Sequence, residues 1–358
     1  MHWPEHGAMP NELARRLGTS VPQDILDFSV NTNPFGPPDS FRELWPSWME
    51  AAFYYPHPQG EDVRKAIAEA AGVRKEEVLA GNGGSEIIFL LARLYKDKTV
   101  LLIEPSFAEY RTALEANEAR IKTIMAQEEN QWQPSLHDFL GALSSVDAVF
   151  FSHPNNPTGV SYGEELLRQM FQACHDRDID IVCDEAFYDF TVNHRHLLSW
   201  RHTFPTLIII RSMTKMFSIP GLRAGYLIAS PDKVRQAEKL MPAWSVNNIA
   251  GCAIKQAFKE QSFTDASVNM IATERERMKT KLEELGFVIS PATVNYYLLR
   301  EDPAKDLLPL ITFLSEKGIH VRHTYNFSGL NGSYIRMAVK KNEENNRLLA
   351  ALQGWKER

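Results

Sequence analysis

The feature that most constrains the fold is an alternation that begins near residue 60 and runs to about residue 245. Apolar, β-branched runs ("TVLLIEP", "DAVFFSHP", "DIVCDEAF", "TLIIIRS", "AGYLIAS") are separated by amphipathic stretches such as "VRKAIAEAAG", "SEIIFLLARLYK" and "GEELLRQMFQACHDRD". Strands that are apolar throughout have no polar face to offer water, so the pattern predicts a mostly parallel sheet covered by helices on both sides. The expected fold class is α/β, a three-layer α/β/α large domain. After residue 245 the character changes. "NMIATERERMKTKLEELG" reads as one long amphipathic helix; "FVIS", "NYYLLR" and "SYIRMAV" read as short strands, and "LLPLITFLSEKG" as a further helix. That is a smaller α+β lobe. The expected division is an N-terminal arm over 1–44, rich in proline and polar residues, a large domain over 45–245 and a small C-terminal domain over 246–358.

Composition excludes several classes of function. With 358 residues and 44% hydrophobic content the chain can bury a large core. The opening "MHWPEHGAMPNELARR" has no apolar stretch of signal-peptide length, and no run approaches the roughly 20 apolar residues of a membrane helix. A cytoplasmic protein with no membrane partner is expected. Cys174, Cys183 and Cys252 are too few and too scattered for a disulfide framework or a zinc site, so no metal is expected either. A formal charge of −6 argues against nucleic acid as a partner, although local arginines can still focus positive potential inside a cleft.

In sheets of this kind ligands bind beyond the carboxyl ends of the strands, so the residues where strands stop are the informative ones. "GNGGSEIIFLL" places glycines and Ser85 immediately before a helix, which suits a phosphate held by free N–H groups and the helix dipole, or a helix capped by Ser85. "SHPNNPTG" sets Asn156 before a proline, either to aim its amide at a ring or simply to make a turn. "DIVCDEAF" ends in Asp184, a carboxylate entering apolar surroundings that needs a cap or a cationic partner. "RSMTKMFSIPGLRAGYL" puts Lys215 just past a buried strand, with Ser212 and Arg223 on either side. Lys215 is then a surface residue at a loop tip, or an amine whose pKa is lowered in a closed pocket and which acts as a nucleophile. A phosphate cup, a carboxylate, a desolvated lysine and an arginine are together what pyridoxal 5′-phosphate requires: an amine for its aldehyde, an anion for its pyridine nitrogen and donors for its phosphate.

From about residue 25 to the C-terminus the chain resembles the fold-type I pyridoxal-phosphate aminotransferases, through "NPTG", "DEAF" and "SMTKMFSIPGLRAGY" in that family's order. The resemblance implies that Lys215 carries the Schiff base, Asp184 pairs with the pyridine nitrogen and Asn156 bonds the ring's phenolic oxygen. It implies that Gly84, Ser85, Ser212 and Arg223 hold the phosphate and that Phe107 stacks on the ring. Tyr55 of "YYPHP" would reach the cofactor of a neighbouring subunit, which implies a homodimer with shared sites.

Two branches of that family share further features with this chain, and both handle phosphorylated amine substrates. The histidinol-phosphate aminotransferases share "NxNPxGPP" and "GLRAGY". The opening "HGAMPNELARRLGTSVPQDILDFSVNTNPFGPP" is more similar to the threonine-phosphate decarboxylases of the cobalamin pathway, although "HGAM" keeps only His6 and Gly7 of their usual start. Phe187 stands where transaminases usually carry a tyrosine that bonds the ring oxygen. By this likeness Arg336 in "YIRMAV" binds the substrate carboxylate, while Arg322, His6 and Asn33 bind its phosphate. The expected activity is decarboxylation of L-threonine O-3-phosphate. The alternatives are a histidinol-phosphate or other phospho-amino-acid aminotransferase and, in another class, a non-catalytic ligand-binding module of the same fold.

Overall fold

A computed structural model of the chain describes residues 3–20, 24–192 and 197–358; residues 1, 2 and 21–23 of the expected arm lie outside the described residues. Helix α1 (Pro10–Leu17) and strand β1 (Leu26–Asp27) precede helices α2 (Asp39–Ala51) and α3 (Glu61–Ala71). Strand β2 (Val78–Asn82) leads into α4 (Gly83–Leu94), β3 (Thr99–Glu104) into α5 (Ala108–Ala116), and β4 (Arg120–Met125) into α6 (Leu136–Ala142). There follow β5 (Ala148–Ser152), α7 (Glu164–His175), β6 (Asp180–Asp184), β7 (Leu207–Ser212), β8 (Ala224–Ile228), α8 (Pro231–Glu238), α9 (Asn248–Ala257) and the long α10 (Gln261–Glu284). The tail comprises β9 (Phe287–Ile289), β10 (Tyr296–Glu301), α11 (Leu308–Glu316), β11 (Ile319–His320), β12 (Arg322–His323), β13 (Ile335–Ala338) and α12 (Asn342–Lys356).

The main sheet has seven strands in the order β2-β8-β7-β6-β5-β3-β4. All pairings are parallel except those of β8, which runs against both of its neighbours. The reason is local. Segment 213–223, between β7 and β8, is too short to hold a crossover helix, and without one the chain must turn back antiparallel. Successive residues of each central strand face opposite layers. Leu101, Val149, Ile181 and Ile209 pack with Phe139, Leu167 and Phe171 of α6 and α7 on one side. Val100, Leu102, Phe150, Val182 and Ile208 pack with Ile87, Leu91, Tyr110 and Val234 of α4, α5 and α8 on the other. The edge strand β4 was not among the predicted ones because only one of its six residues is buried, so it shows no continuous apolar run.

The smaller sheet, β12-β13-β10-β9, is antiparallel throughout. Strand β1 pairs parallel with β11, Leu26 opposite Ile319 and Asp27 opposite His320, and this ties the N-terminal segment to the C-terminal lobe. Among the described residues no helix is long and apolar enough to cross a membrane.

Candidate active site

The ends of β5, β6 and β7, the start of α4, the N-terminal segment and the β12–β13 ladder converge on one cavity of about 320 Å³. A larger hollow of about 1520 Å³ opens beside Tyr188 and Arg211. It lacks Lys215 and the strand-end carboxylate Asp184, which both line the smaller cavity.

One wall of that cavity is a cup built by close backbone approach. Helix α4 begins at Gly83, with Asn82 as N-cap and no side chain capping its first turn. Ser85 is therefore not the cap; it sits inside the first turn and lines the cavity together with Gly84. Gly83 has φ +82, and a Cβ there would fall 2.6 Å from Nη2 of Arg223. A Cβ on Gly225, which lies opposite Ser212 in the ladder, would fall 2.8 Å from the backbone of Gly83 and Gly84. Glycine at these places lets the uncapped helix start, Arg223 and the end of β7 close on one point. Ser212 and Thr214 complete the rim, their hydroxyls 2.8 Å apart. Free N–H groups, the positive helix end, hydroxyls and a guanidinium together make an anion site.

Lys215 faces the same cavity, and its ammonium has no hydrogen-bond or ion-pair partner among the described residues. Burial, together with Arg336 and Arg223, pulls its pKa down to about 8, so that roughly a tenth is neutral at pH 7, far more than for an ordinary lysine. Asp184 ends β6 with its carboxylate buried. Oδ1 accepts the Ala186 amide at 2.9 Å and Oδ2 accepts the Tyr110 hydroxyl at 2.8 Å. Burial pushes the Asp184 pKa up, opposed by these two donors and by Lys215. Asn156 is oriented by Arg336, whose Nη1 donates to its Oδ1 at 2.7 Å, so the amide nitrogen remains free to donate into the cavity. Phe107 borders the cavity edge-on to Tyr110, with ring centroids 5.8 Å apart. Phe187, which has no hydroxyl to offer, packs edge-on against Tyr296 at 4.8 Å.

Opposite the cup stand two arginines from adjacent strands. Arg322 and Arg336 are direct partners in the β12–β13 ladder, and both are buried. Arg336 donates to Asn156 and to the Ser29 carbonyl, and its buried Nε has no acceptor. Arg322 donates to the carbonyls of Glu5 and His323 and to the Asn326 amide oxygen. Among the described residues neither is hydrogen-bonded to a carboxylate. Burial, and for Arg322 the neighbouring Arg336 charge, lowers their pKa values to about 9 and about 10 respectively. The N-terminal segment lies across them: His6 contacts Glu109 at 3.0 Å, and Trp3 stacks on Tyr325 at 4.2 Å. Gly7 passes so close to Ser29 that a Cβ there would lie 2.6 Å from its carbonyl oxygen.

The structure thus gathers His6, Gly7, Gly84, Ser85, Phe107, Asn156, Asp184, Phe187, Ser212, Lys215, Arg223, Arg322 and Arg336 around one cavity. Two expected residues are elsewhere. Asn33 needs correction: it is fully buried outside the cavity, its amide donating to the Met216 carbonyl at 3.0 Å and to Ser267 Oγ at 2.8 Å. With its donors committed it has nothing left for a substrate phosphate, and its own N–H supports the Lys215 carbonyl instead. Tyr55 is 85% exposed, on the outer surface beside Trp244. Sequence reading missed Tyr110, Thr214 and Ser29. The first lies in "EPSFAEY", three residues after Phe107, and the second within "SMTKMF", but neither residue type carries a signal of its own.

The residues fit pyridoxal 5′-phosphate. The glycine-lined cup would hold its phosphate, the buried Asp184 would face its pyridine nitrogen, and Lys215, which has no partner among the described residues, would meet its aldehyde. A model for aminotransferase class I and II matches residues 23–352. A threonine-phosphate decarboxylase of Salmonella typhimurium is 33% identical over 97% of this chain and 95% of its own length. Among solved structures, the histidinol-phosphate aminotransferase of Clostridium acetobutylicum superposes with a TM-score of 0.87 at 28% identity, covering 93% of this chain and 99% of that one. The Sinorhizobium meliloti histidinol-phosphate aminotransferase, solved in complex with pyridoxal 5′-phosphate, shares the fold with a TM-score of 0.85 at 21% identity, covering 97% and 94% of the two chains. With the family matched over nearly the whole chain and the cavity built to suit the cofactor, this protein belongs to the class I and II aminotransferase family and is an enzyme dependent on pyridoxal 5′-phosphate.

Proposed function

We propose that the enzyme decarboxylates L-threonine O-3-phosphate, giving (R)-1-aminopropan-2-ol O-phosphate and carbon dioxide. The observation that carries this reading is the Arg322–Arg336 pair. Side chains directly opposite in an antiparallel ladder have Cβ atoms about 5 Å apart, so the two guanidiniums serve anions only a few bonds apart on one small molecule. Threonine phosphate carries a carboxylate and a phosphate at that spacing, whereas histidinol phosphate carries only the phosphate. The Salmonella relative bears the decarboxylase name, which supports the same choice.

When bound, the cofactor supplies an electrophilic carbon for the substrate amine and a protonated ring that draws off electrons. The chain's residues do the rest. Arg336, fixed by Asn156 and Ser29, would grip the α-carboxylate and thereby orient the bonds at Cα. Arg322 holds the phosphate and fixes the other end. Once the Cα–carboxylate bond breaks and carbon dioxide leaves, Lys215, which lines the cavity, would return a proton to Cα from its ammonium form. Each site in this reading is completed by Tyr55 of a second copy of the chain. Phe53, Tyr54 and Trp244 surround Tyr55 as exposed aromatics, a surface that suits an interface better than water.

The test supplies L-threonine O-3-phosphate without a keto acid and follows carbon dioxide release beside the cofactor spectrum. Continuous gas evolution with an unchanged aldehyde form is expected. Accumulation of the amine form without gas, reversed by 2-oxoglutarate, would make the enzyme an aminotransferase.

A further inference from the structure

Tyr110 sits at the centre of the site, yet nothing in the reading above uses it. It lies in the first turn of α5, three residues after Phe107, so that turn sends both aromatic side chains to one side. Its ring is 2% exposed and stands edge-on to Phe107 and, at 6.5 Å, to Phe150. A phenylalanine would make these contacts equally well. The hydroxyl is what packing does not explain, since burying it is unfavourable unless it has a partner.

That partner is Oδ2 of Asp184, at 2.8 Å. Because the Ala186 amide holds Oδ1, the two donors fix the carboxylate plane from both ends. Each carboxylate oxygen accepts more than one hydrogen bond, so this arrangement still leaves a lone pair for a group in the cavity. Burial and the Asp184 charge hold the phenol pKa far above its usual value, and the hydroxyl therefore stays a donor at every working pH. A hydrogen bond given to a carboxylate favours its charged form. Removing it would make Asp184 more basic and draw toward it the proton that the ring nitrogen must keep.

We propose that Tyr110 is a positioning residue for the cofactor's ring nitrogen, holding the Asp184 carboxylate in orientation and limiting its basicity so that the shared proton stays on the ring. This rests on the assignment of Asp184 to that nitrogen, and the test keeps the two apart. Three holoenzyme variants are compared with wild type: Tyr110→Phe, which keeps the ring and loses the hydroxyl; Phe150→Leu, which loosens the packing and keeps the hydroxyl; and Asp184→Asn. The readouts are the pH dependence of the bound cofactor's absorbance and the dissociation constant of pyridoxal 5′-phosphate, from fluorescence titration of the cofactor-free proteins.

In Tyr110→Phe the midpoint of the absorbance change moves up by about half a pH unit or more and the dissociation constant rises about tenfold, the loss of one charge-assisted hydrogen bond. Phe150→Leu leaves both within twofold of wild type. If Tyr110→Phe matches wild type while Asp184→Asn moves both readouts, the role of Tyr110 falls and that of Asp184 stands. If Asp184→Asn moves neither, both fall. A Phe150→Leu shift as large as that of Tyr110→Phe would assign the effect to packing and overturn the proposal.

Discussion

Arg336 Nη1 donates to Oδ1 of Asn156 across 2.7 Å, a hydrogen bond that joins the C-terminal sheet to the turn after β5. The same guanidinium reaches the Ser29 carbonyl and still has a buried Nε without an acceptor. One planar group thus orients the amide and braces the N-terminal segment at once.

A lysine cannot divide itself in this way. Arg336→Lys should lower kcat/KM about 100-fold, roughly 3 kcal/mol, the order expected for losing two hydrogen bonds to a charged group. Most of the loss should fall on kcat, because a misplaced carboxylate spoils the torsion at Cα more than it weakens binding. Steady-state kinetics separate the two. A rise in KM at unchanged kcat would leave Arg336 a binding residue only.

In the proposed reaction Arg322 has the complementary role. Its replacement in Arg322→Met should raise KM for L-threonine O-3-phosphate at least tenfold while kcat changes far less, since on that reading it grips the end of the substrate remote from the chemistry. Equal losses in kcat and KM would contradict that division of labour.

Asn33→Ala should act on stability instead. It removes buried hydrogen bonds to Met216 and Ser267 and leaves a buried hydroxyl short of a partner, a loss on the order of 2 kcal/mol. Thermal unfolding should move down by several degrees while KM stays within about threefold. A large KM effect in a protein of unchanged stability would return Asn33 to the substrate site.

Asn33 also shows where sequence reading runs out. The sheet was legible because its central strands are apolar on both faces, and the gathering of Asn156, Asp184, Ser212 and Lys215 at one cavity was legible because they lie at or just past the ends of those strands. Asn33 sits in a polar, proline-rich segment whose path cannot be deduced from periodicity, so burial there gave no sign in advance. Tyr110 was hidden for the opposite reason: on an amphipathic helix a tyrosine reads as one more core aromatic, and only the fold brings its hydroxyl to Asp184. The Arg322–Arg336 pairing is a matter of register between strands of two and four residues, which are too short to carry a pattern.

Tyr55 bears on assembly. If it reaches the cofactor of a second copy, sedimentation should give a dimer under assay conditions, and Tyr55→Ala and Lys215→Ala should each be impaired. Mixing the two variants should then restore partial activity, because one site of the hybrid contains neither lesion. An active monomer, or a mixture no better than its components, would remove Tyr55 from the site.

Lys215 makes the stability of the cofactor-free protein depend on pH, and the sign follows from the direction of its shift. The folded protein holds this amine at a pKa of about 8, against 10.5 for an ordinary lysine. Between those values the unfolded chain binds more protons than the folded one, so stability rises with pH across that window. Below about pH 8 both states are protonated and the full penalty for a buried charged amine near Arg336 and Arg223 is present, about 3 kcal/mol for a shift of that size. Lys215→Met removes the penalty. The cofactor-free variant should therefore be more stable than cofactor-free wild type at pH 7, and the difference should shrink steadily as the pH approaches 10. Denaturant midpoints measured for both proteins at several pH values give this difference directly. A gap that stays constant with pH, or a variant less stable at pH 7, would mean that Lys215 is not held as a depressed amine in the folded chain.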